Sequence, residues 1–429
     1  MNREMKHSGV PWLKDIPSNW NVERGKNVLV LQKRPVRESD EVVTCFRDGE
    51  VILRSLRRTE GFTMSDKEIG YQGINEGDIV IHGMDGFAGA MGVSKSTGKG
   101  SPVLVVCSPK YDAIPQYIIY YLRALAMTDV FIALATGIRE RSCDLRWNKI
   151  SELEFILPSS IEQQKIASFL DRKCAEIDEM IALQEKIVEE LKAYKQSVIT
   201  EAVTKGLNPD VPMKDSGIEW ISEIPEHWTV CRIKDAADLF GRIGFRGYTS
   251  DDLNKDGIGA ITLSPSNMLP MGMDYSSVTY LSWMKYEESP EIKIRNGDIL
   301  MVKTGSSYGK VSYVESLPRE ATINPQILRI VAHSGSKHLA YFLQTPLFLY
   351  QVEGGVVGGT IPTISQEKIN NFIILMPPLS EREEISDYLD IRCTEIDNLI
   401  SIKLSKIDSL KEYKKSIIYE YVTGKKEVI

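Results

Sequence analysis

The sequence predicts an α+β protein made of two similar halves, each a mixed module of strands and short helices that ends in a long helix. Three observations lead to this class: a set of motifs that occurs twice, two long heptad-like stretches, and short β-like runs between them. A chain of 429 residues also exceeds the usual size of one hydrophobic core, which favours two or more domains.

The repeated motifs follow the same order in both halves. The first pair comprises KHSGVPWLKDIPSNWNVERGK (6–26) and KDSGIEWISEIPEHWTVCRIK (214–234), whose matching residues stand 208 positions apart. The next pairs are INEGDIV (74–80) with IRNGDIL (294–300), and KISELEFILPSSIEQQKIASFLD (149–171) with KINNFIILMPPLSEREEISDYLD (368–390). A period of about half the chain is too long for a solenoid repeat and indicates a duplicated domain.

Proline and glycine set the predicted boundaries. Prolines precede both long helical stretches, and Gly206 with two following prolines marks a linker. The predicted order is a first mixed domain (1–157), a first long helix (158–206), a second mixed domain (207–376, with its linker at 207–215) and a second long helix (377–429).

The two long helices carry an apolar stripe with the alternating spacing of a coiled-coil seam. Its members are Leu170, Cys174, Ile177, Ile181, Val188, Leu191 and Val198 in the first copy, and Leu389, Cys393, Ile396, Ile400, Ile407, Leu410 and Ile417 in the second. Both copies break the stripe with polar residues, first at Gln184 and Lys403 and then at Lys195 and Lys414. The pattern predicts that the helices pair antiparallel as a spacer in a pseudo-two-fold arrangement; the alternative is that each packs on its own domain.

Two glycine-containing loops follow the repeated Gly-Asp-Ile strands. The second, VKTGSSYGK (302–310), resembles a phosphate-binding loop, but its glycines are one residue too close and Val311 replaces the metal-binding hydroxyl. The first, HGMDGFAGA (82–90), shares its scaffold but not its tip. A shared scaffold with different tips is expected for two related recognition loops, and it is equally expected for two ordinary β-hairpins.

Basic residues cluster in predicted loops, although the net charge of −7 argues against a sequence-independent DNA binder. Arginine can contact guanine edges and lysine can contact phosphates, while the simpler interpretation of each is a solvated surface charge. The candidate DNA contacts are Arg34, Arg54, Arg57, Arg58, Arg139, Arg141, Arg242, Arg246, Lys303, Ser306, Ser307, Tyr308 and Lys310.

Other classes lack support in the sequence. No apolar stretch reaches membrane-spanning length, and the start of the chain has no signal-peptide core, so we expect a cytoplasmic protein without a membrane partner. The six cysteines stand singly, which predicts neither a structural metal site nor a disulfide framework. We identify no catalytic residues.

The ordered motifs SGIEWISEIPEHWTV, GDILMVKTGSSYGKV, GGTIPTISQEKINNFIILMPPLSEREEISDYLD and LKEYKKSIIYEYVTGK resemble the DNA-specificity subunit of type I restriction–modification systems. The first half carries the similar SGVPWLKDIPSNWNV, and the resemblance covers nearly the whole chain. It implies two target recognition domains that each read half of a bipartite, asymmetric sequence in double-stranded DNA, separated by the helical spacer.

The resemblance also implies partners. These are two methyltransferase subunits that use S-adenosylmethionine and restriction/translocase subunits that use ATP and magnesium, while this chain is non-catalytic and binds no cofactor. The assembled complex would cut DNA and methylate adenine at N6. The residues leave two alternatives open, a stand-alone duplicated DNA-binding regulator and a coiled-coil protein adaptor.

Overall fold

A four-stranded antiparallel sheet with the same strand order forms the centre of each half of the computed structural model. The structure describes residues 3–57, 69–134, 145–242, 247–254, 256–356 and 362–428. The chain divides into two units: unit 1 contains residues 1–186 and 404–429, and unit 2 contains residues 187–403. Each long helix therefore contributes one part to each unit.

The strands of unit 1 are β1 (Met5–Val10), β2 (Leu13–Pro17), β3 (Asn21–Arg24), β4 (Leu29–Leu31), β5 (Val43–Cys45), β6 (Val51–Leu53), β7 (Gln72–Ile74), β8 (Ile79–His82), β9 (Met91–Val93), β10 (Gly98–Gly100), β11 (Leu104–Pro109) and β12 (Glu154–Leu157). The strands of unit 2 are β13 (Met213–Asp215), β14 (Glu223–Pro225), β15 (Thr229–Arg232), β16 (Ala237–Gly241), β17 (Leu253–Asn254), β18 (Ala260–Leu263), β19 (Met268–Leu269), β20 (Gly272–Met273), β21 (Thr279–Leu281), β22 (Ile299–Val302), β23 (Val311–Tyr313), β24 (Ala321–Ile323), β25 (Ile327–Ala332) and β26 (Ile373–Met376).

The helices are α1 (Gly25–Val28), α2 (Pro115–Met127), α3 (Val130–Ala133), α4 (Trp147–Ile150), α5 (Ser160–Lys205), α6 (Ile233–Ala236), α7 (Trp283–Glu287), α8 (Ser336–Phe342), α9 (Pro346–Gly355), α10 (Gln366–Asn370) and α11 (Leu379–Val422). The two long helices are α5 and α11. Helix α11 ends before Gly424, whose φ of 72° is a left-handed conformation that favours glycine at a helix end. None of the helices in the described ranges is long and apolar enough to cross a membrane.

Equivalent strands build the central sheets. The order is β4-β11-β8-β9 in unit 1 and β16-β25-β22-β23 in unit 2. Each unit contains a repeated segment that begins and ends with tryptophan, the tryptophan motif, at residues 12–20 and 220–228. In both units the strand before the long helix pairs antiparallel with the strand after this motif, as β12 with β3 and β26 with β15. The described residues of unit 2 add a second four-stranded sheet, β17-β21-β18-β24, with its own apolar core. This sheet occupies the region in which the two halves of the sequence do not match.

The repeated Gly-Asp-Ile motif is a turn that starts a hairpin. Gly77 and Gly297 have φ values of 87° and 90°, which glycine adopts without the clash that a Cβ would cause. The next residue caps the turn, because its carboxylate accepts the backbone N–H three residues earlier, at 2.7 Å for Asp78 and 2.6 Å for Asp298. Local geometry therefore explains why this motif occurs in both halves.

Both long helices enter the core of each unit. In unit 1, Leu170 of α5 and Ile417 of α11 pack in one buried cluster that also contains Trp20. In unit 2, Val203 of α5 packs in the corresponding cluster with Leu389 of α11. All fourteen predicted seam positions are buried or half-buried.

The helices run antiparallel within each unit. In unit 1, the ring of Phe169 on α5 lies 4.5 Å from the ring of Tyr421 on α11. Asp178 lies further along α5 and accepts a hydrogen bond at 2.6 Å from Lys414, which lies earlier in α11. In unit 2, Lys195 donates to Asp397 at 2.6 Å. The two lysines are the predicted polar breaks in the stripe, and each is neutralised by an aspartate of the opposite helix.

The first turn of each long helix is attached to the tryptophan motif. Trp20 and Trp228 are completely buried, and their indole N–H groups donate to Glu162 at 3.1 Å and to Glu381 at 3.0 Å. A carboxylate near a helix N-terminus is also favoured by the helix dipole. The motif therefore fixes where each helix begins relative to its module.

The buried His338 leads us to expect that the stability of unit 2 depends on pH. It is 2% exposed, and within the described residues its Nε2 has no hydrogen-bond partner. Burial, with a smaller contribution from the charge of Arg382, lowers its pKa from 6.5 to about 3. The unfolded chain therefore binds a proton more tightly than the folded chain at mildly acidic pH, and stability falls as the pH drops below about 6.5.

We expect His338→Leu to remove this dependence. When the pH falls from 7 to 5, the unfolding free energy of the wild-type unit should decrease by about 2 kcal/mol more than that of the variant. Urea denaturation at each pH measures both decreases. Parallel pH profiles for the two proteins would show that His338 does not carry this effect.

Candidate nucleic-acid interface

The β22–β23 hairpin of unit 2 presents the glycine loop, residues 303–310, on a rigid base. The backbone N–H of Lys303 donates to the carbonyl of Gln326 at 2.8 Å, and its carbonyl accepts from Ile364 at 2.9 Å. Gly305 donates to Pro362 at 3.0 Å, and Gly309 lies against Val352. The base of the loop is thus fixed from both sides.

The tip of this loop is accessible and polar. Ser306 and Ser307 are exposed, Tyr308 is half-buried against the apolar core, and Lys310 donates to the carbonyl of Pro265 at 3.0 Å. Lys303 is half-buried, and burial lowers the pKa of its ammonium group. Its Nζ lies beside Gly241 at the end of β16, 3.2 Å from the point that a Cβ on that glycine would occupy.

Arg242 follows β16, which β25 separates from this hairpin in the central sheet. Its guanidinium is buried, donates to the carbonyl of Ile323 at 3.2 Å and lies 4.8 Å from the centre of the Tyr248 ring. Burial lowers its pKa. The structure therefore places Arg242 inside the module, where it supports the end of β24.

The β8–β9 hairpin of unit 1 has the same base. Gly83, at the position of Lys303, donates to the carbonyl of Val103 at 2.9 Å and accepts from Leu145 at 2.8 Å. These two bonds repeat those that Lys303 makes with Gln326 and Ile364. The main chain of the two loops is therefore held in the same way.

The two tips differ in chemistry. In unit 1 the tip contains Asp85, which pairs with Arg47 at 2.9 Å and whose N–H donates to Nδ1 of His82 at 2.9 Å. Met84 beside it is 59% exposed. An acidic and apolar tip in unit 1 and a hydroxyl- and lysine-bearing tip in unit 2 would contact different chemical groups.

The predicted arginines of unit 1 that the structure describes are held by other groups of the module. Arg34 pairs with the buried carboxylate of Asp78, with Nη2 3.1 Å from Oδ1. Arg54 donates to Thr44 at 3.2 Å. Arg57 pairs with Asp48 at 2.5 Å and with Glu50 at 2.9 Å, and lies 4.2 Å from the Phe46 ring centre.

Four predicted contacts, Arg58, Arg139, Arg141 and Arg246, lie outside the described residues. Of the other candidates, the structure brings Lys303, Ser306, Ser307, Tyr308 and Lys310 together on one hairpin. Arg34, Arg54 and Arg57 lie in a different unit.

Three amide and hydroxyl side chains beside the glycine loop were not predicted as site residues from the sequence. Asn324 and Gln326 form the turn before β25, and Thr363 forms a bridge with Thr304. The only sequence signal was a proline between two amide residues in INPQI (323–327), since the neighbourhood depends on pairing between distant strands.

Two copies of one mixed module, each carrying a similar hairpin with a different tip and each built on both long helices, define a duplicated recognition protein. Residues 225–423 match the family model described as the type I restriction modification DNA specificity domain. The type I restriction enzyme MjaVIII specificity subunit of Methanocaldococcus jannaschii is 24% identical over 427 residues, which cover 96% of this chain and 94% of that protein.

Solved structures share the fold. A chain from a structure concerned with complex assembly and conformational transition of the type I R-M system has a TM-score of 0.73 at 16% identity, and the match covers 95% of this chain and 99% of that chain. The HsdS subunit from Thermoanaerobacter tengcongensis has a TM-score of 0.52 at 15% identity, with 95% and 98% covered. Residues 225–423 thus carry a type I restriction modification DNA specificity domain, and the chain as a whole is similar in sequence to a type I restriction enzyme specificity subunit.

Proposed function

We propose that each unit reads one half of an interrupted, asymmetric DNA sequence and that the two long helices set the gap between the halves. The observation that carries this proposal is the shared hairpin base with two unlike tips. Because the two hairpins are anchored in the same way, they present their loop tips in the same way. The unlike tips then select different base pairs. The target is therefore bipartite and not palindromic.

The proposed partners are two methyltransferase subunits and restriction/translocase subunits, which supply S-adenosylmethionine, ATP and magnesium. The assembled complex then methylates adenine at N6 and cuts DNA, while this chain selects the site. Exposed apolar side chains on the helices support such docking, since large apolar residues in water favour an interface. Leu399 and Ile402 on α11 are 46% and 62% exposed in unit 2, and Leu183 on α5 is 55% exposed in unit 1.

The lysines of the glycine loop are proposed to contact DNA phosphates. In the assembled complex, Lys303→Ala with Lys310→Ala should weaken binding to the cognate site and reduce the slope of log K against log salt by about 1 to 2, because each phosphate contact releases about one counterion. Fluorescence anisotropy across a salt series measures the slope. Lys406→Ala, which removes an exposed helix lysine, is the control and should leave it unchanged; an unaltered slope in the double variant would exclude these contacts.

The helices are proposed to act as the spacer. Seven residues inserted after Glu185 in α5, with seven after Lys403 in α11, preserve the heptad phase and lengthen both helices by about 10 Å. The gap between methylated half-sites should grow by about three base pairs, at about 3.4 Å per pair, while both half-sites stay the same.

Methylome sequencing of cells that carry the chain with its methyltransferase measures this gap. A seven-residue insertion in the linker at 207–215 is the matched control and should leave the gap as it is in the wild type. An unchanged gap in the helix variant would show that the helices do not set the spacing, and a wild-type methylome without a bipartite site would refute the proposed function itself.

A further inference from the structure

The turn before β25, residues 324–326, is held by hydrogen bonds to β18, to β25 and to the glycine loop. Asn324 donates from its backbone to Leu263 at 3.0 Å, and its carbonyl accepts from Ile327 at 3.2 Å. Its side-chain Oδ1 accepts from the backbone N–H of Gln326 at 3.0 Å. With the bond from Lys303 to the carbonyl of Gln326, the turn is fixed to the base of the glycine loop.

The Gln326 side chain is exposed and oriented. Its Oε1 accepts from Nδ2 of Asn324 at 3.2 Å, which uses one of the two lone pairs. Its Nε2 lies 3.2 Å from the point that a Cβ on Gly305 would occupy, so the amide group stands directly beside the glycine loop. Across the described residues Nε2 donates to no other group, which leaves one acceptor site and the donor hydrogens free on an exposed carboxamide.

Unit 1 has the same turn with a different side chain. The carbonyl of Ser101 accepts from Leu104 at 3.0 Å, and the carbonyl of Val103 accepts from Gly83 at 2.9 Å. Val103 therefore occupies the backbone position of Gln326. The main chain does not require a carboxamide there, since the equivalent position carries only methyl groups.

A glutamine carboxamide can accept from N6 and donate to N7 of adenine at the same time, whereas methyl groups suit the thymine methyl. The free acceptor and donor atoms of Gln326 provide this pair of contacts. Lys303, Ser306 and Ser307 on the adjacent loop can hold phosphate oxygens. The turn and the loop together can thus read a base and fix the backbone around it.

We propose that Gln326 is a specificity-determining residue that reads an adenine in the half-site bound by unit 2. This inference rests on the proposed function. Asn324 acts as its positioning residue, because it holds both the backbone and the amide group of Gln326.

The test compares base preference at every position of the methylated site, using the complex with its methyltransferase subunits. Competition binding with the cognate duplex and its single-base-pair replacements should show one position in the half-site of unit 2 at which Gln326→Ala lowers the preference for adenine by about ten- to hundredfold. Preferences elsewhere should not change. Gln326→Glu keeps the side-chain shape and should transfer the preference at that position to cytosine, whose N4 donates to a carboxylate.

Val103→Ala is the matched variant in unit 1 and should alter only the other half-site. Thermal melting of each variant establishes that it is folded. Loss of affinity by the same factor for all sequences, or an unchanged preference at every position, would overturn the assignment of Gln326. A wild-type complex without a bipartite preference would instead refute the proposed function, so the two failures are distinguishable.

Discussion

The antiparallel packing of α5 against α11 is the constraint on which the other features depend. Each unit buries parts of both helices in its core, and unit 1 is completed by a distant stretch of chain, residues 404–429 with the last part of α11. The apolar seam supplies the burial, and the Lys414–Asp178 and Lys195–Asp397 pairs add complementary charges at equivalent places in the two units. Exposed pairs of this kind contribute about 0.2 to 1 kcal/mol each, so they specify the register more than they stabilise it.

The periodic and local features of the fold could be predicted from the sequence. The seam follows from heptad spacing, and the hairpin turn follows from Gly77 and Gly297, whose positive φ requires glycine. The second sheet of unit 2 could not be predicted, because its strands are short and β18 pairs with the distant β24. Prolines precede both long helices, which begin at Ser160 and Leu379, and Gly424 follows the end of α11 at Val422, so these bounds have local signals in the sequence.

The candidate site was harder to derive. Basic clusters look alike in a sequence whether their charges are solvated or paired, and the partner of Arg34 is a buried aspartate 44 residues away. Arg57 likewise pairs with Asp48 and Glu50. The hairpin with Lys303 was evident from its glycines, but Gln326 was not, since only strand pairing places it there. The net charge of −7 and the paired arginines restrict the proposed DNA contacts to local patches such as the glycine loop.

Zero-length carbodiimide coupling followed by peptide mass spectrometry tests the helix pairing most directly. It joins a lysine to a carboxylate only when the two are in ion-pair contact. We expect isopeptide bonds between Lys414 and Asp178 and between Lys195 and Asp397, whose atoms lie 2.6 Å apart in each pair. The Lys337–Asp390 pair at 2.5 Å is the internal control. Coupling of the control without either helix-to-helix product would contradict the antiparallel seam and with it the proposed spacer.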